Sequence, residues 1–377
     1  MATVATPRAG TRPATAATLA ELEQLNRRLA TKPAARLQVE GLSIGYSTLR
    51  GRFHAVEDIS FEVPAGTNLG LVGESGCGKS TVVKALMGLQ PAGTYIAGQA
   101  LLDGQNILGL NDDALRDIRW KRISLITQSA MNSLDPVYTI GDQICEAIRA
   151  HERVSKAVAW ARAEEMFALV GLPAGRLYEF PHQFSGGMRQ RAVIAMALAL
   201  NAGMLLADEP TTALDPIMQS QIMTRIRGIH AHMRRSMILV THDIAVVAET
   251  CENTVVMYAG KMAESGPTAD VLKHPLHPYT MGLQNAFPRL PVPGAPRQPL
   301  ISIPGVVPNL LLPPPGCRFA SRCPFATDLC RTAAPPVVRH GAQSAACHFT
   351  HCAAEFREVA ARPETWRNMA HNMRGAA

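Results

Sequence analysis

The sequence predicts an α/β fold built on a largely parallel sheet, with a helical subdomain inside it and a small Pro/Cys-rich domain at the C-terminus. Three observations predict it. Short apolar runs alternate with helical patterns between residues 68 and 241, as parallel strands joined by crossover helices do. Each of those runs ends in polar or glycine-rich residues, the usual place for a ligand in an open α/β sheet. The last quarter then turns rich in proline and cysteine, with five of the eight cysteines between Cys317 and Cys352. With 377 residues, the chain exceeds one comfortable core and suggests about two domains.

The first element is a tail. Residues Met1–Arg36 hold six Lys/Arg against two Glu, over half of the chain's net charge of +7. An Ala/Thr/Pro-rich basic stretch of this kind is expected to be mostly disordered, with a short helix around "LAELEQLNRRLA". A surplus lying mostly in a tail is weak ground for a nucleic-acid partner, and none is expected; it suits solubility first and a loose contact with anionic lipid second. The longest apolar run, "MALALNAGMLLA" from Met196, has about half the ~20 residues a membrane-spanning helix needs. No apolar leader opens the chain, so a cytoplasmic location is expected, where structural disulfides are unusual.

Four strands follow in order: "NLGLV" (Asn68–Val72), "ISLIT" (Ile123–Thr127), "MLLA" (Met204–Ala207) and "MILVT" (Met237–Thr241). They lead into the loop from Gly73, then Gln128, the pair Asp208–Glu209, and His242–Asp243. One polar strand end means little; four of this chemistry predict one site. The first loop, "GESGCGKST" (Gly73–Thr81), fits the phosphate-binding pattern G-x-x-x-x-G-K-[ST] between a strand and a helix. Gly73, Ser75, Gly76, Cys77 and Gly78 supply backbone N–H groups that can turn toward phosphates. Lys79 adds a cation for them, Ser80 can ligate Mg²⁺, and Thr81 continues a helix whose positive end faces the same anion. Cys77 reads as a small filler, not a nucleophile. Asp208 can hold Mg²⁺, and Glu209 can accept a proton from an attacking water. Gln128 can reach the metal or the water, and His242 the γ-phosphate.

A second helix start, Ser185-Gly186-Gly187 in "FSGGMRQRAVIAMALAL", offers free N–H groups to another anion. Two such starts and a single lysine-bearing loop suggest a head-to-tail dimer, each nucleotide gripped by one subunit's loop and the other's Ser-Gly-Gly. In this order the motifs resemble the ATPase subunits of ABC transporters: the phosphate loop, "ITQ" at Gln128, "FSGGM", "LLADEP", "TTALD" (Thr211–Asp215) and "THD" at His242. The resemblance implies a P-loop ATPase core over residues 37–283 that hydrolyses ATP with Mg²⁺. It also implies a helical subdomain over about 129–183 facing a membrane partner, and a role for Asp215 in linking the two sites of the dimer. The aromatic that stacks on adenine falls on Tyr46, with Phe53 as rival across the insertion "STLRGRFHA". Ile140, Ile144 and Ile148 read as core. Met188, where the general signature has Gln, resembles one of two subunit types in peptide importers and favours a heterodimer.

"NSLDP" (Asn132–Pro136) and "HPLHPYTMGL" (His274–Leu283) resemble oligopeptide and dipeptide importer ATPases. That resemblance implies two permeases, a second ATPase subunit, an extracytoplasmic solute-binding protein as an indirect partner, and peripheral attachment to the cytoplasmic face of the inner membrane. Residues 284–377 form the expected C-terminal domain, an extended Pro-rich segment first and a helical tail last. Its cysteines Cys317, Cys323, Cys330 and Cys347 are spaced C-x₅-C-x₆-C-x₁₆-C, with Cys352 beyond. Structural zinc prefers C-x₂₋₄-C pairs, so zinc needs His348 or His351 as a substitute ligand. Four thiolates around Pro324 also suit an iron–sulfur cluster. The stretch resembles the C-terminal module of peptide-importer ATPases, some of which hold a four-cysteine site, and this favours [4Fe–4S]. Cys77, Cys145 and Cys251 read as packing residues. Two other classes remain: a soluble ABC ATPase on ribosomes or DNA, which would co-purify with them, and an iron- or redox-sensing module, which a complete ATPase motif set argues against as the sole role.

Overall fold

The computed structural model describes residues 16–128, 133–211, 219–220, 222–224, 227–228, 235–286 and 301–375. It divides into two compact units. One takes the chain up to Lys32 with the stretch ending at Asn201; the other takes Pro33–Gln128 and the chain from Ala202 on. Elements are numbered along the chain.

The first unit is helical: α1 (Ala16–Ala30), α4 (Ile140–His151), α5 (Lys156–Leu169) and α6 (Gly186–Leu198). Thr139 and Ser155 cap α4 and α5, each side chain accepting from a backbone N–H three residues on, which satisfies donors the helix itself leaves open. Ile140, Ile144 and Ile148 are buried, as their spacing predicts. In the described part of the tail, α1 covers the stretch "LAELEQLNRRLA" read as a short helix. Leu22, Leu25 and Leu29 recur at helical spacing and pack with Val158 and Ala161 of α5. Asn26 donates to Glu165 at 2.9 Å, and Lys32 donates to the Leu200 carbonyl at 2.9 Å. An amphipathic stripe with a surface to cover stabilises such a helix.

The second unit holds two sheets. β1 (Leu37–Thr48), β2 (Gly51–Val63), β4 (Tyr95–Leu102) and β5 (Gln105–Asn106) form an antiparallel sheet in the order β2-β1-β4-β5. The supposed insertion "STLRGRFHA" spans the β1–β2 hairpin turn at Leu49-Arg50, so β1 and β2 run on unbroken. The larger sheet has the order β11-β12-β10-β9-β3-β8-β7-β6. Its parallel part comprises β3 (Asn68–Val72), β6 (Ile123–Ile126), β7 (Met204–Asp208), β8 (Ser236–Thr241) and β9 (Asn253–Tyr258). The four strands read from the sequence are thus four neighbours, β3-β8-β7-β6, with β9 beyond β3. Leu71, Ile238 and Val240 of this sheet pack with Leu37, Ile44 and Ile59 of the other, and with Val82 and Leu86 of α2 (Lys79–Leu86).

The described part of the C-terminal region belongs to this second unit. β12 (Gln343–Ala346) pairs antiparallel with β10 (Lys261–Pro267), and β11 (Val337–His340) adds the edge. Between β10 and this hairpin run α8 (Thr268–Lys273), α9 (Pro278–Ala286) and α10 (Asp328–Thr332), and α11 (Ala353–Ala360) and α12 (Pro363–Gly375) close the chain. Beyond the boundary read at 284, the described residues lend the large sheet two strands, β11 and β12. No helix among the described residues is long and apolar enough to cross a membrane.

Candidate functional site

The loop Gly73–Thr81 runs from the end of β3 into α2. Gly73 has φ +151° and lies so close to the Met257 carbonyl that a Cβ would stand 2.2 Å from it. Gly78, at φ +104°, would meet the Ala55 carbonyl of β2 at 2.6 Å. These two positions therefore need glycine, and the loop is pinned between β2 and β9. Lys79 is buried. Its ammonium donates to the carbonyls of Gly73 at 2.7 Å and Glu74 at 3.0 Å, so it already lies along the loop's inner side. Cys77 is fully buried. Burial pushes its thiol up and Lys79 pulls it back, which leaves a packed thiol with no approach for a substrate.

The Ser80 hydroxyl donates to Asp208 Oδ1 at 3.0 Å. Burial raises the Asp208 carboxyl above its usual value, and the Ser80 hydrogen bond works against this. A hydroxyl and a carboxylate oxygen side by side are the hard donors Mg²⁺ takes, with water and phosphate completing its shell, so these residues fit the ion. Next along β7, Glu209 has φ +46° and donates its N–H to the Val240 carbonyl at 2.9 Å. That left-handed backbone is uncommon for Glu. Gln128 Nε2 donates to Glu209 Oε2 at 3.1 Å, and His242 Nδ1 stands 3.7 Å from Glu209 Oε1. Three residues from three different strand ends thus converge. Of the "TTALD" loop, Thr211 is described, and Asp215 lies outside the described residues.

Tyr46 and Phe53 are not alternatives in space. They are register partners on β1 and β2, both half-buried, and Phe53 lies two residues before the Ala55 carbonyl that abuts Gly78. In the other unit, Ser185 caps α6 by accepting from Met188 N at 3.3 Å, and Gly186 and Gly187 form the helix's first turn.

Cys317, Cys323, Cys330 and Cys347 line one recess together with Phe319, Phe325 and Phe356. Cys352 is not among its lining residues. All eight cysteines are free thiols. Burial raises the Cys317 and Cys323 thiols, Cys323 strongly, and pushes Cys347 up to about 11; neighbouring cysteines of the four add to each shift. Opposing this, the Phe349 N–H donates to Cys347 Sγ at 3.4 Å, and backbone N–H groups at Phe319 and Phe325 do the same for Cys317 and Cys323. Such N–H···S contacts tune sulfur ligands. Among the described residues, no three or more His, Cys, Asp or Glu side chains are placed to hold a single metal ion. The iron–sulfur and the zinc expectation alike find no such group there, and His348 Nε2 is engaged with the Ala333 carbonyl at 3.0 Å.

Sequence reasoning missed Glu74 and Arg322. The Arg322 guanidinium grips both Glu74 carboxylate oxygens, at 2.7 and 3.0 Å. The signal available was only an unusual charge inside the phosphate loop and an arginine beside Cys323.

The chain was compared with known proteins. Residues 56–212 match the family described as ABC transporter, and residues 263–330 match "Oligopeptide/dipeptide transporter, C-terminal region". The oligopeptide transport ATP-binding protein OppD of Escherichia coli is 45% identical over 303 residues, covering 80% of this chain and 89% of that protein. The dipeptide transport ATP-binding protein DppD of Bacillus subtilis is 45% identical over 298 residues, covering 78% and 88%. A solved dimeric ATP-binding cassette in a post-hydrolysis state with ADP and Pi superposes with TM-score 0.56 at 26% identity, over 62% of this chain and 98% of that one. A strand-end site with a phosphate loop and a Glu209–Gln128–His242 cluster, on a chain this similar, has one family reading: the chain belongs to the ATP-hydrolysing, ATP-binding subunits of ABC transporters, in the group that carries the oligopeptide/dipeptide transporter C-terminal region.

Proposed function

We propose that this chain is the motor subunit of an importer for di- or oligopeptides, working with a second, different ATPase subunit and two permeases on the cytoplasmic face of the membrane. A solute-binding protein outside the membrane would supply the peptide. The observation that carries the motor reading is the convergence of Gln128, Glu209 and His242 beside the Ser80–Asp208 pair. The peptide class is supported by the relatives' names and by the matching C-terminal region.

In this reading the Gly73–Thr81 backbone and Lys79 bind the β- and γ-phosphates, Tyr46 and Phe53 offer aromatic faces to adenine, and Ser80 and Asp208 hold Mg²⁺, which supplies positive charge against the phosphates. Gln128 orients the attacking water and Glu209 takes its proton. His242 donates a hydrogen bond to the γ-phosphate. The Ser185-Gly186-Gly187 helix start of the partner subunit closes over the same nucleotide, with Asp215 at the dimer contact. Closing and reopening of that dimer would drive the permeases.

The four-cysteine recess is proposed to hold a [4Fe–4S] cluster of structural role. Four thiols lining one recess, three of them accepting from backbone N–H groups, support this reading. The test is anaerobic purification of the assembled complex in vesicles, followed by ATP-driven uptake assays on di- and oligopeptides and on unrelated solutes, with iron and acid-labile sulfide measured on the same material. Peptide uptake with about four irons per chain is the expected result. Uptake of a non-peptide solute alone would overturn the substrate, and an iron-free complex with full uptake would overturn the cluster.

A further inference from the structure

Arg322 lies one residue before Cys323, at the end of the 3₁₀ turn Ala320–Arg322. Its side chain is only 4% exposed, and it has an acceptor for each of its five N–H donors. Nη1 donates to Glu74 Oε2 at 2.7 Å and Tyr258 Oη at 3.2 Å. Nη2 donates to Glu74 Oε1 at 3.0 Å and the Ile303 carbonyl at 3.2 Å. Nε donates to the Pro304 carbonyl at 2.8 Å. A guanidinium satisfied in this way is fixed in position, and its paired bond to a carboxylate is among the stronger polar contacts a protein makes.

Glu74 is the second residue of the phosphate loop, and it is held at three points. Arg322 takes its carboxylate. The Glu74 N–H donates to Tyr279 Oη at 2.9 Å. Its carbonyl accepts from Lys79 at 3.0 Å. Tyr258 and Tyr279 pack on each other at 4.6 Å and both pack on Phe319, at 5.1 and 5.3 Å. Phe319 also lines the thiol recess. A second arginine repeats the arrangement. Arg318, next to Cys317, bonds Glu57 of β2 and the Ala259 carbonyl, and the neighbouring Gly260 N–H donates to the Cys77 carbonyl of the loop at 3.0 Å. The segment between the first two clustered cysteines therefore touches the phosphate loop directly through Arg322, and Arg318 holds the Ala259–Gly260 backbone that bonds the loop's other end.

A carboxylate inside a phosphate loop is a liability, because ATP brings several negative charges to the same place. Pairing with Arg322 offsets that charge and fixes the backbone whose N–H groups must face the phosphates. We propose that Arg322 is a positioning residue for nucleotide binding, and that the turn from Cys317 to Cys323 thereby forms part of the ATP site. The inference rests on the ATPase assignment and on neither the metal nor the peptide.

The assembled wild-type complex is first shown to hydrolyse ATP, so that a failed ATPase reading and a failed Arg322 reading give different results. Then kcat and KM for ATP are measured for Arg322→Lys, Arg322→Met and the double variant Arg322→Met/Glu74→Gln. Losing a buried charge-assisted pair raises KM for ATP by about tenfold or more in Arg322→Met, with kcat changed much less, and Arg322→Lys falls between that variant and wild type. The double variant recovers part of the loss, because Glu74→Gln removes the charge left uncompensated beside the phosphates. A role in packing alone gives a double variant no better than the single one, and that result overturns the proposal, as does an unchanged KM in folded Arg322→Lys and Arg322→Met. If Arg322→Met does not fold, Arg322→Lys against Arg322→Lys/Glu74→Gln decides by the same comparison.

Discussion

Glu209 occupies a backbone conformation that costs free energy, φ +46°, and its N–H bond to Val240 holds it there. Strain of this kind persists where surrounding structure fixes it, and it gathers at functional positions. Gln in its place keeps the size and a partner for Gln128 but no longer takes a proton. Glu209→Gln is expected to lower steady-state ATP turnover in the assembled complex by two or more orders of magnitude while ATP binding, measured at equilibrium, stays near wild type. Turnover close to wild type would remove Glu209 from the base role. Its neighbours Gln128, Asp208 and His242 were legible in the sequence because each follows an apolar strand, so the sheet itself brings them together. Glu74 and Arg322 were not. They lie 248 residues apart, and nothing local to either residue names the other.

At the scale of elements, the junction of β10, α9 and β12 carries an opposed pair of titrating groups. Glu264 of β10 is fully buried and accepts from the N–H groups of Leu276 and His277 at 2.8 and 3.0 Å. Burial nevertheless raises its carboxyl from 4.5 to about 7. His277 is buried neutral: Nδ1 accepts from the Tyr279 N–H at 3.0 Å, and burial lowers it from 6.5 to about 4. A raised Glu binds its proton more tightly when folded, so its contribution is full below pH 4.5 and lost as pH rises to about 7. A lowered His loses its contribution as pH falls from 6.5 to about 4. Each is worth on the order of 3 kcal/mol, so between about pH 4.5 and 6.5 the two cancel. Glu264→Gln leaves His277 acting alone. Hydrogen exchange of the segment 264–281 should then show local stability rising with pH across that window in the variant and nearly level in the wild type. Parallel profiles in the two proteins would overturn the assignment. The same junction shows where sequence reading stops. β3, β6, β7 and β8 were legible as β-branched or Leu-rich runs, whereas "VVRH" and "QSAA" of β11 and β12 have no alternating pattern. β12 is a strand because β10 offers an open edge, and β11 because β12 offers the next, a tertiary cause that composition does not carry.

At the scale of the whole molecule, one chain has one lysine-bearing phosphate loop and one Ser-Gly-Gly helix start, and they belong to different compact units. The proposed dimer gives the helix start a nucleotide to meet on another chain. Gly186 tests this without disturbing the fold. It opens the 13-residue helix α6, and a Cβ there would meet nothing within 4 Å. An aspartate at this position also suits the helix, since a negative charge in the first turn complements the positive end of the dipole. Gly186→Asp should therefore leave thermal stability equal or slightly higher. The added carboxylate would instead repel a phosphate arriving from a partner chain, because it occupies the place where free N–H groups would meet the anion. ATP affinity of the isolated subunit, set by Gly73–Thr81, should stay within about twofold, whereas turnover in the complex should fall by about tenfold or more. Sedimentation with and without ATP reads the same defect as a lost nucleotide-dependent dimer. Intact dimerisation with full turnover would place the whole catalytic site on a single chain and leave Ser185, Gly186 and Gly187 as an ordinary helix start.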